Sequence, residues 1–358
     1  MLSAVFVLPG PLARTGGYIY DARIIDGLRQ RGWTVEVIEL RGAFPFPDAA
    51  ALADAGRTFS SIADGRVVVV DGLALGAIPD VAEAHASRLR LVALVHLPLA
   101  ADVSRDPAVA ERLAASEGRA LGAAALVVVT SRATLPMIAA YALPPDRVTV
   151  VGPGTDRVPH RHPRSSQDTD ARPDTLELLC VGTINAGKGH DTLMEALATV
   201  THQQQWHLTC AGSLTRDPDA VARIRAAIRT RRLQERVFLA GELDEDAMLA
   251  AYFRADVFVL PTRQETYGMA VAEAIAHGLP VIATRTGAIP WLVGDDAGRV
   301  VAPGDVDALA AALDELIGDA HLRARLAAGA RARAAQLPTW DDACQEMSAA
   351  LARVDRHG

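Results

Sequence analysis

The sequence has 358 residues, enough for two domains, and its 50% hydrophobic and 22% charged residues are typical of a globular protein. Its net charge of −7 disfavours nucleic acid as the main partner, because phosphate backbones bind clustered Lys and Arg. Its cysteines, Cys180, Cys210 and Cys344, are widely spaced and form no CxxC motif, so we expect buried thiols rather than a disulfide or metal site.

The pattern of the first 156 residues predicts a doubly wound α/β domain. Short apolar runs alternate with helical patterns. The runs are apolar nearly throughout, as in strands buried on both faces of a parallel sheet. One such helical pattern covers residues 18–32 and is closed by Gly32. The predicted strands are Ala4–Leu8, Thr34–Leu40, Val67–Asp71, Leu91–His96, Ala125–Thr130 and Val148–Val151.

A second α/β domain is predicted at 175–338. It follows a segment at 157–174 that is rich in Pro, Ser, Asp and Arg, which we interpret as a linker. Residues 339–358 are predicted to form a helix that packs back on the first domain. Tandem domains of this class are expected to face a central cleft, where ligands bind at the carboxyl ends of the strands. The predicted strands are Leu176–Val181, Trp206–Ala211, Val237–Ala240, Val257–Leu260 and Val281–Ala283.

The N-terminal end of the sequence favours a cytoplasmic protein. The opening "MLSAVFVLPG" has no basic leader and is too short for a signal peptide. No apolar run reaches the length of a membrane span. An alternative for the segment "RGAFPFP" at 41–47 is a patch that contacts a membrane surface.

Two features of the first domain are candidates for ligand binding. Gly16 and Gly17 precede a helix, where the missing Cβ atoms allow backbone N–H groups to approach an anion. The alternative is a tight turn, and the pair does not form the G-x-G-x-x-G fingerprint of dinucleotide-binding domains. His96 falls at the carboxyl end of a buried strand, a position that lines ligand sites, although a single His is more often structural.

The second domain contains a glycine-flanked lysine. In "VGTINAGKGHD" at 181–191, Lys188 stands between Gly187 and Gly189 just ahead of a helix. A cation at a helix N-terminus is suited to a pyrophosphate, although a solvated Lys in a turn is the alternative. The Walker A pattern is absent, so the loop is not a P-loop.

The segment "ETYGMAVAEAIAHGLPVIAT" at 265–284 contains two carboxylates. Glu265 lies in a loop and Glu273 in a helix that starts near Gly268, with apolar residues around Glu273. A carboxylate in such surroundings needs a hydrogen-bond donor, and sugar or ribose hydroxyls are good donors. The alternative for either glutamate alone is a solvated surface residue.

Together these loops resemble the family 4 glycosyltransferases, which are retaining enzymes of the GT-B fold with two tandem Rossmann-like domains. The resemblance covers nearly the whole chain and keeps the family's order. Its motifs are Gly16-Gly17, "GPGTD" at 152–156, the lysine loop at 181–197 and the two-glutamate segment at 265–284.

The resemblance implies roles for particular residues. Glu265 would contact the hydroxyls of the transferred sugar, Glu273 the ribose, and Lys188 the leaving diphosphate, with His96 near the sugar. The implied catalytic residues are Glu265, Lys188 and His96. The implied donor-binding residues are Gly16, Gly17, Thr183, Lys188, Glu265, Thr266, Tyr267, Gly268, Met269 and Glu273.

One position departs from the family's pattern. Thr183 stands where the family usually has an Arg that pairs with the Lys against the diphosphate. Three alternatives follow: Arg263 or Arg14 substitutes for it, donor binding is weak, or the protein is not an active transferase.

The expected activity is transfer of a sugar from a nucleoside diphosphate sugar to a small-molecule or lipid-linked acceptor, with retention at the anomeric carbon. No cofactor is expected, and no Asp, His or Cys residues have the sequence spacing of metal ligands. The alternatives are a nucleotide-sugar 2-epimerase, a phosphorylase or a non-catalytic sugar-nucleotide-binding protein. The sequence leaves the base (UDP, GDP or dTDP), the acceptor and the oligomeric state open.

Overall fold

A computed structural model describes residues 2–10, 15–102, 105–158, 175–202 and 204–356. These residues fall into two compact units, one running up to Gly154 and resuming at Pro338, the other spanning Thr155–Leu337. From residue 159 to residue 174, the predicted linker lies outside the described residues, as does Arg14.

The helices and strands alternate in both units. The strands are β1 Ser3–Pro9, β2 Thr34–Leu40, β3 Val67–Asp71, β4 Arg90–Val95, β5 Leu126–Val129, β6 Val148–Val150, β7 Thr175–Val181, β8 Gln205–Ala211, β9 Val237–Gly241, β10 Val257–Leu260, β11 Val281–Thr284 and β12 Gly298–Val301. The helices are α1 Gly16–Gln30, α2 Ala49–Ser61, α3 Gly72–Leu75, α4 Pro79–His85, α5 Pro107–Ala123, α6 Leu135–Ile138, α7 His190–Thr199, α8 Pro218–Thr230, α9 Glu245–Arg254, α10 Met269–Ala276, α11 Ile289–Val293, α12 Val306–Gly318, α13 Ala320–Ala334 and α14 Trp340–Arg356.

Each unit is built on a six-stranded parallel sheet. The strand orders are β2-β1-β3-β4-β5-β6 in the first unit and β12-β11-β10-β7-β8-β9 in the second. The chain order reverses between β1 and β3 in the first sheet and between β7 and β10 in the second. Loops that follow neighbouring strands at such a switch point diverge and leave space for a ligand. The loops after β7 and β10 contain Lys188 and Glu265, respectively.

Central strands are buried because both faces of each sheet are covered by helices. All five residues of β3, and all four of β10 and of β11, are buried. Buried apolar side chains form one core in each unit. This agrees with the apolar character of the predicted strands.

Strand β2 does not fit the prediction that the strands are buried on both faces. It lies at the edge of its sheet and only Leu40 is buried. Its exposed residues include Glu36 and Glu39, and charged side chains on an edge strand oppose pairing with another chain. The sequence prediction also missed β12, a four-residue edge strand that pairs with β11.

Helix α14 returns the chain to the first unit, where it packs against α1. The indole Nε1 of Trp33 donates to Ser348 at 2.9 Å, and Trp340 lies edge-on to Tyr20. Gly154, in the "GPGTD" motif, has no room for a Cβ, which would collide with the backbone of Trp340. A larger residue at 154 would therefore displace the start of α14.

The three cysteines are free and buried, as predicted. In the segment at 41–47, Phe44 packs against the core of the first unit and Phe46 is exposed. None of the helices in the described part of the chain has the length and apolar character needed to cross a membrane.

Candidate functional site

An ion pair joins the two loops at the switch point of the second sheet. The Lys188 ammonium donates to Oε2 of Glu265 at 2.6 Å, and the side chains are 27% and 17% exposed. The two residues are 77 positions apart, so the strand order, not the local sequence, brings them together. This pair places a cation and a carboxylate where a polar ligand can reach both.

The lysine loop is held in shape by its neighbours. The Asn185 side chain accepts a hydrogen bond from the Lys188 N–H at 3.0 Å, and Ile184 is fully buried. Gly189 has φ +69°, and a Cβ there would collide with the carbonyl oxygen of Pro261. Glycine is thus required for both the left-handed backbone and the close approach of the β10 loop.

Arg263 fastens the two loops together from the β10 side. Its backbone N–H donates to Gly187 O at 2.8 Å, and its guanidinium donates to Ala186 O at 2.8 Å and to Asp191 at 2.7 Å. Burial alone would raise the pKa of Asp191, but the hydrogen bond and charge of Arg263, together with backbone N–H donors, outweigh it and the pKa is lowered. The charge of Arg263 is thus already paired with Asp191. A residue that substitutes for the arginine absent at position 183 would instead have to direct its charge at the ligand.

The glutamate loop is fixed by backbone contacts. The Glu265 N–H donates to Thr286 Oγ1 at 3.2 Å. Gly287 has φ +55°, and a Cβ there would collide with the Glu265 carbonyl. Gly268 has φ +99° and precedes the first residue of α10, Met269, so the predicted helix start is confirmed.

Thr266 and Tyr267 differ in which atoms they offer. The Thr266 N–H donates to Oε1 of Glu265 at 3.3 Å. The Tyr267 ring is buried in the core, its hydroxyl has no partner among the described residues, and burial raises its pKa to about 12. The Tyr267 side chain is therefore structural, and the backbone is the part of this residue that can serve a ligand.

Glu273 has a protein donor that the sequence analysis did not find. The buried Tyr252 hydroxyl donates to Oε2 of Glu273 at 2.9 Å, and the Tyr252 ring stacks on His277 with centroids 4.6 Å apart. Burial and then the Glu273 charge raise the pKa of Tyr252 well above its usual value. The hydrogen bond orients a half-buried carboxylate and offsets part of its desolvation.

In the first unit, His96 lies between two buried aspartates. Its Nε2 donates to Asp21 Oδ1 at 3.0 Å and lies 3.6 Å from Asp71 Oδ2. Burial disfavours the imidazolium, but Asp21 and then Asp71 outweigh it and raise the pKa of His96 to about 9. Burial and the Asp21 charge raise the pKa of Asp71 to about 7. His96 is therefore a cation at neutral pH.

The start of α1 lies against this histidine. A Cβ on Gly17 would stand 3.3 Å from Cδ2 of His96, a tight contact that explains a glycine there. Gly16 is the exposed first residue of α1. Tyr20 lies edge-on to the imidazole, with ring centroids 5.3 Å apart. The unpaired N–H groups of a helix N-terminus and an imidazolium together favour an anionic or hydroxylated ligand.

Two groups of described residues bring potential metal ligands together, although neither has ligand spacing in the sequence. Asp21, Asp71 and His96 form one, and Cys180, His190 and Cys210 form the other; within each, the ligand atoms lie within 4.8 Å of one another. In the first group the His96 imidazolium already offsets carboxylate charge of Asp21 and Asp71.

A cavity of about 610 Å³ in the second unit lies away from these residues. Trp206 and residues 231–236 contribute to its lining. They precede β8 or β9 or lie at their amino ends, opposite the strand ends that lead to Lys188 and Glu265. The cavity is therefore separate from the candidate site.

Some of the site could not be found from the sequence. Asp71 ends a predicted strand, a position that signals ligand sites, but it was not singled out. Asp21 contacts His96 in the first unit, and Tyr252 and Thr286 contact Glu273 and Glu265 in the second. All three come from a helix or a distant loop and have no local motif.

Comparison with known families and curated proteins agrees with these motifs. The family described as "Glycosyl transferases group 1" matches residues 162–333. The D-inositol 3-phosphate glycosyltransferase of Xylanimonas cellulosilytica is 32% identical over 62% of this chain and 55% of its own length. That of Stackebrandtia nassauensis is 30% identical over 75% of this chain, which spans 62% of the relative. The MMP alpha-(1->4)-mannosyltransferase of Mycolicibacterium hassiacum is 26% identical over 64% of this chain and 55% of its own length.

Solved structures show the same fold over nearly the full chain. Sucrose-phosphate synthase from Thermosynechococcus elongatus has a TM-score of 0.82 at 20% identity, covering 98% of both chains. HepE from Anabaena in complex with UDP-glucose has a TM-score of 0.76 at 17% identity, covering 98% of this chain and 99% of its own. The two Rossmann-like units thus form the GT-B fold. Residues 162–333 therefore form a domain of the group 1 glycosyl transferases, of the family 4 type that the motifs predict.

Proposed function

We propose that this chain is a retaining glycosyltransferase that moves a hexosyl group from a nucleoside diphosphate sugar to a hydroxyl group of a small-molecule or lipid-linked acceptor. The observation that carries the proposal is the Lys188–Glu265 pair at the switch point of the second sheet. It offers a cation for a diphosphate and a carboxylate for sugar hydroxyls within one hydrogen-bond length of each other.

The reaction needs positive potential where negative charge develops. The bond between the anomeric carbon and the diphosphate oxygen breaks, the acceptor oxygen bonds to the same face of that carbon, and the acceptor proton leaves with the diphosphate. Lys188 and the N-terminus of α10 at Gly268 and Met269 stabilise the departing charge. They are fixed before the reaction by the loop contacts described above.

Donor binding displaces the existing ion pair. The Lys188 ammonium turns to the diphosphate, which frees Glu265 to accept hydrogen bonds from the sugar. The backbone of residues 266–269 binds the sugar and diphosphate, and Glu273, oriented by Tyr252, accepts from the ribose. Gly16 and Gly17, with the His96 imidazolium, bind a phosphate or hydroxyl group in the first unit.

The proposal extends to the acceptor, to the absence of a metal requirement and to the compartment in which the protein acts. The first acceptor to test is inositol 3-phosphate, because relatives with 30% and 32% identity carry that name and His96 with the α1 N-terminus suits a phosphorylated polyol. Catalysis is proposed to need no metal ion. The free buried cysteines favour a reducing compartment, the cytoplasm.

Lys188 can be tested directly because it is the only lysine in the chain. We expect pyridoxal phosphate, followed by borohydride reduction, to label one side-chain amine, and a bound nucleoside diphosphate to prevent the labelling. UDP, GDP and dTDP are compared as protectants, with peptide mapping to separate Lys188 from the α-amino group. The base that protects best identifies the donor nucleotide.

A Lys188→Arg variant is the control for labelling, since it keeps the charge and lacks the amine. It should take up no label at position 188. Labelling of the wild type that none of the three nucleotides slows, at concentrations that raise its melting temperature, would contradict the position of Lys188 in the donor site.

A second candidate function is sugar-nucleotide binding without catalysis, which the residue at 183 and the paired charge of Arg263 favour. A Thr183→Arg variant separates the two. We expect it to bind the preferred nucleoside diphosphate about tenfold more tightly and to gain kcat/KM, because a charge-assisted hydrogen bond to the diphosphate is added.

The matched control is Thr230→Arg, which adds the same charge at the exposed end of α8. It should change neither quantity. Tighter binding in Thr183→Arg without turnover on any acceptor would favour the binding protein, and unchanged binding would show that position 183 does not face the diphosphate.

A further inference from the structure

A buried group of two thiols and an imidazole lies beneath the lysine loop. Cys180 on β7 and Cys210 on β8 are register partners in adjacent parallel strands, and His190 is the first residue of α7. Cys180 and Cys210 have no exposed surface and His190 is 1% exposed. The proposed transfer reaction does not use any of them.

The hydrogen bonds of these groups do not account for their burial. Nε2 of His190 lies 3.6 Å from Sγ of Cys180, a weak contact with sulfur, and Nδ1 has no partner among the described residues. Burying an imidazole that makes such poor hydrogen bonds costs free energy. An apolar side chain would fill the same space without that cost.

The electrostatics of the cluster favour a thiolate. The Cys210 thiol donates to Cys180 and lowers its pKa, with further lowering from His190 and Lys188. The same contact, followed by burial, raises the pKa of Cys210. The thiolate is the form that binds metals, and register pairing on adjacent strands already places the two cysteines side by side with His190.

We propose that Cys180, Cys210 and His190 bind a zinc ion through their two Sγ atoms and Nε2. Zinc takes sulfur ligands at about 2.3 Å and nitrogen at about 2.0 Å, so tetrahedral geometry places sulfur and nitrogen about 3.5 Å apart. The Cys180 Sγ to His190 Nε2 separation is 3.6 Å, and all three ligand atoms lie within 4.8 Å of one another.

The charges and protons of this site balance. Binding releases the thiol protons to solvent, and two thiolates neutralise the divalent ion, which makes a buried complex without net charge. The three side chains leave one tetrahedral position of the ion for a fourth ligand. Thiolate and imidazole are ligands that suit zinc better than magnesium or calcium.

Zinc at this position would fix the turn that carries Lys188. Cys180 lies near the end of β7, His190 begins α7, and Lys188 lies between them in the chain. A bound ion would join both ends of the loop to β8 through Cys210. The role is structural, so it is compatible with a transfer step that uses no metal.

The first test is metal content of the full chain. The protein is loaded with Zn²⁺ in buffer that contains a phosphine reductant and is dialysed against metal-free buffer. Its zinc content is then measured by elemental mass spectrometry. We expect about one zinc per chain and a higher melting temperature for the zinc form, because binding to the folded state stabilises it. Less than about a tenth of an equivalent, with the thiols reduced, would overturn the proposal.

Cysteine variants locate the site. Cys210→Ser should lose most of the zinc and the thermal shift, while Cys344→Ser, a matched change of a buried cysteine in α14, should retain both. Zinc retained equally in Cys210→Ser and in Cys180→Ser would place the metal elsewhere and refute the assignment.

Cobalt substitution tests the wild-type protein itself, in case the serine variants do not fold. Co²⁺ bound by two thiolates gives intense sulfur-to-metal charge-transfer absorption in the near ultraviolet and tetrahedral bands in the visible range. We expect both, with loss of the cobalt bands when zinc is added. Bound cobalt without the charge-transfer band, or a Cys180–Cys210 disulfide that persists in reductant, would contradict the site. None of these measurements depends on sugar transfer, so they remain decisive if the proposed activity fails.

Discussion

Replacing Lys188 by alanine is expected to lower kcat for sugar transfer by about 10²–10³-fold, the usual effect of removing one preorganised group that stabilises transition-state charge. The Lys188 ammonium is the side-chain cation that the described lysine loop directs to Glu265. Arg263 cannot readily replace it, because its guanidinium is bound to Asp191. The leaving diphosphate would therefore depart with little compensation. Single-turnover kinetics with the preferred nucleotide sugar measures the effect on the chemical step.

Glu265→Ala is expected to cost a comparable factor for a different reason, because it removes the acceptor for the sugar hydroxyls. Since the two residues contact each other, their effects should not add. We expect the double variant Lys188→Ala/Glu265→Ala to be only slightly slower than the slower single variant. The melting temperatures should change little, because both side chains are partly exposed and lie in loops.

The control for this prediction is Arg231→Ala, which breaks an Arg231–Glu195 pair of 3.1 Å in the same unit. Arg231 lies at the opposite end of the strands and should not affect turnover. Near-normal turnover of both Lys188→Ala and Glu265→Ala would refute the mechanism, and equal losses in Arg231→Ala would show that the effect is not specific to the site.

The strands were predictable wherever burial dictates composition. Strands such as β3 and β10 are apolar because helices cover both faces of the sheet, and their predicted bounds agree with the structure. Edge strands obey a different rule, which explains the exposure of β2 and the missed β12. Their residues have one neighbouring strand and are freer to be polar, so periodicity identifies them poorly.

The site was predictable only where one short segment contains the signal. Lys188 between two glycines and Glu265 before a helix can be read locally, and the structure brings them together. The partners of His96 and Glu273 come from other elements, and so does the pairing of Cys180 with Cys210. These contacts depend on strand order and register, which a single sequence does not specify.

The imidazole of His96 is expected to titrate near pH 9, and this is the second large effect. The raised pKa is due to Asp21 and Asp71, which overcome the effect of burial on the imidazolium. Nuclear magnetic resonance of the imidazole protons measures it, and the signal is assigned by its loss in His96→Gln. We expect Asp21→Asn to lower the pKa of His96 more than Asp71→Asn does, because the Asp21 carboxylate is at 3.0 Å and the Asp71 carboxylate at 3.6 Å.

The pH dependence of stability follows from the sign of these shifts. The folded pKa of His96 is about 9 against an ordinary 6.5, so its stabilisation is complete below pH 6.5 and is lost as the pH rises through 9. The pKa of Asp71 is also raised, to about 7 from 3.8, so its contribution to stability is lost over a lower pH range, as the pH rises from 3.8 through 7. Both groups therefore lower the free energy of unfolding of the first unit as the pH increases.

His96→Gln should cost about 3 kcal/mol near pH 7, because it leaves two buried carboxylates without their cation. The deficit relative to wild type should shrink towards pH 10, where the wild-type imidazole is also neutral. Hydrogen exchange of the amides of β3 and β4 reports the stability of this region at each pH. The control is His207→Gln, which removes a partly exposed histidine 3.4 Å from Glu177 in the second unit and should leave this exchange unchanged. A His96 signal that titrates at or below pH 6.5, or a deficit that does not vary with pH, would show that the aspartates do not hold His96 as a cation.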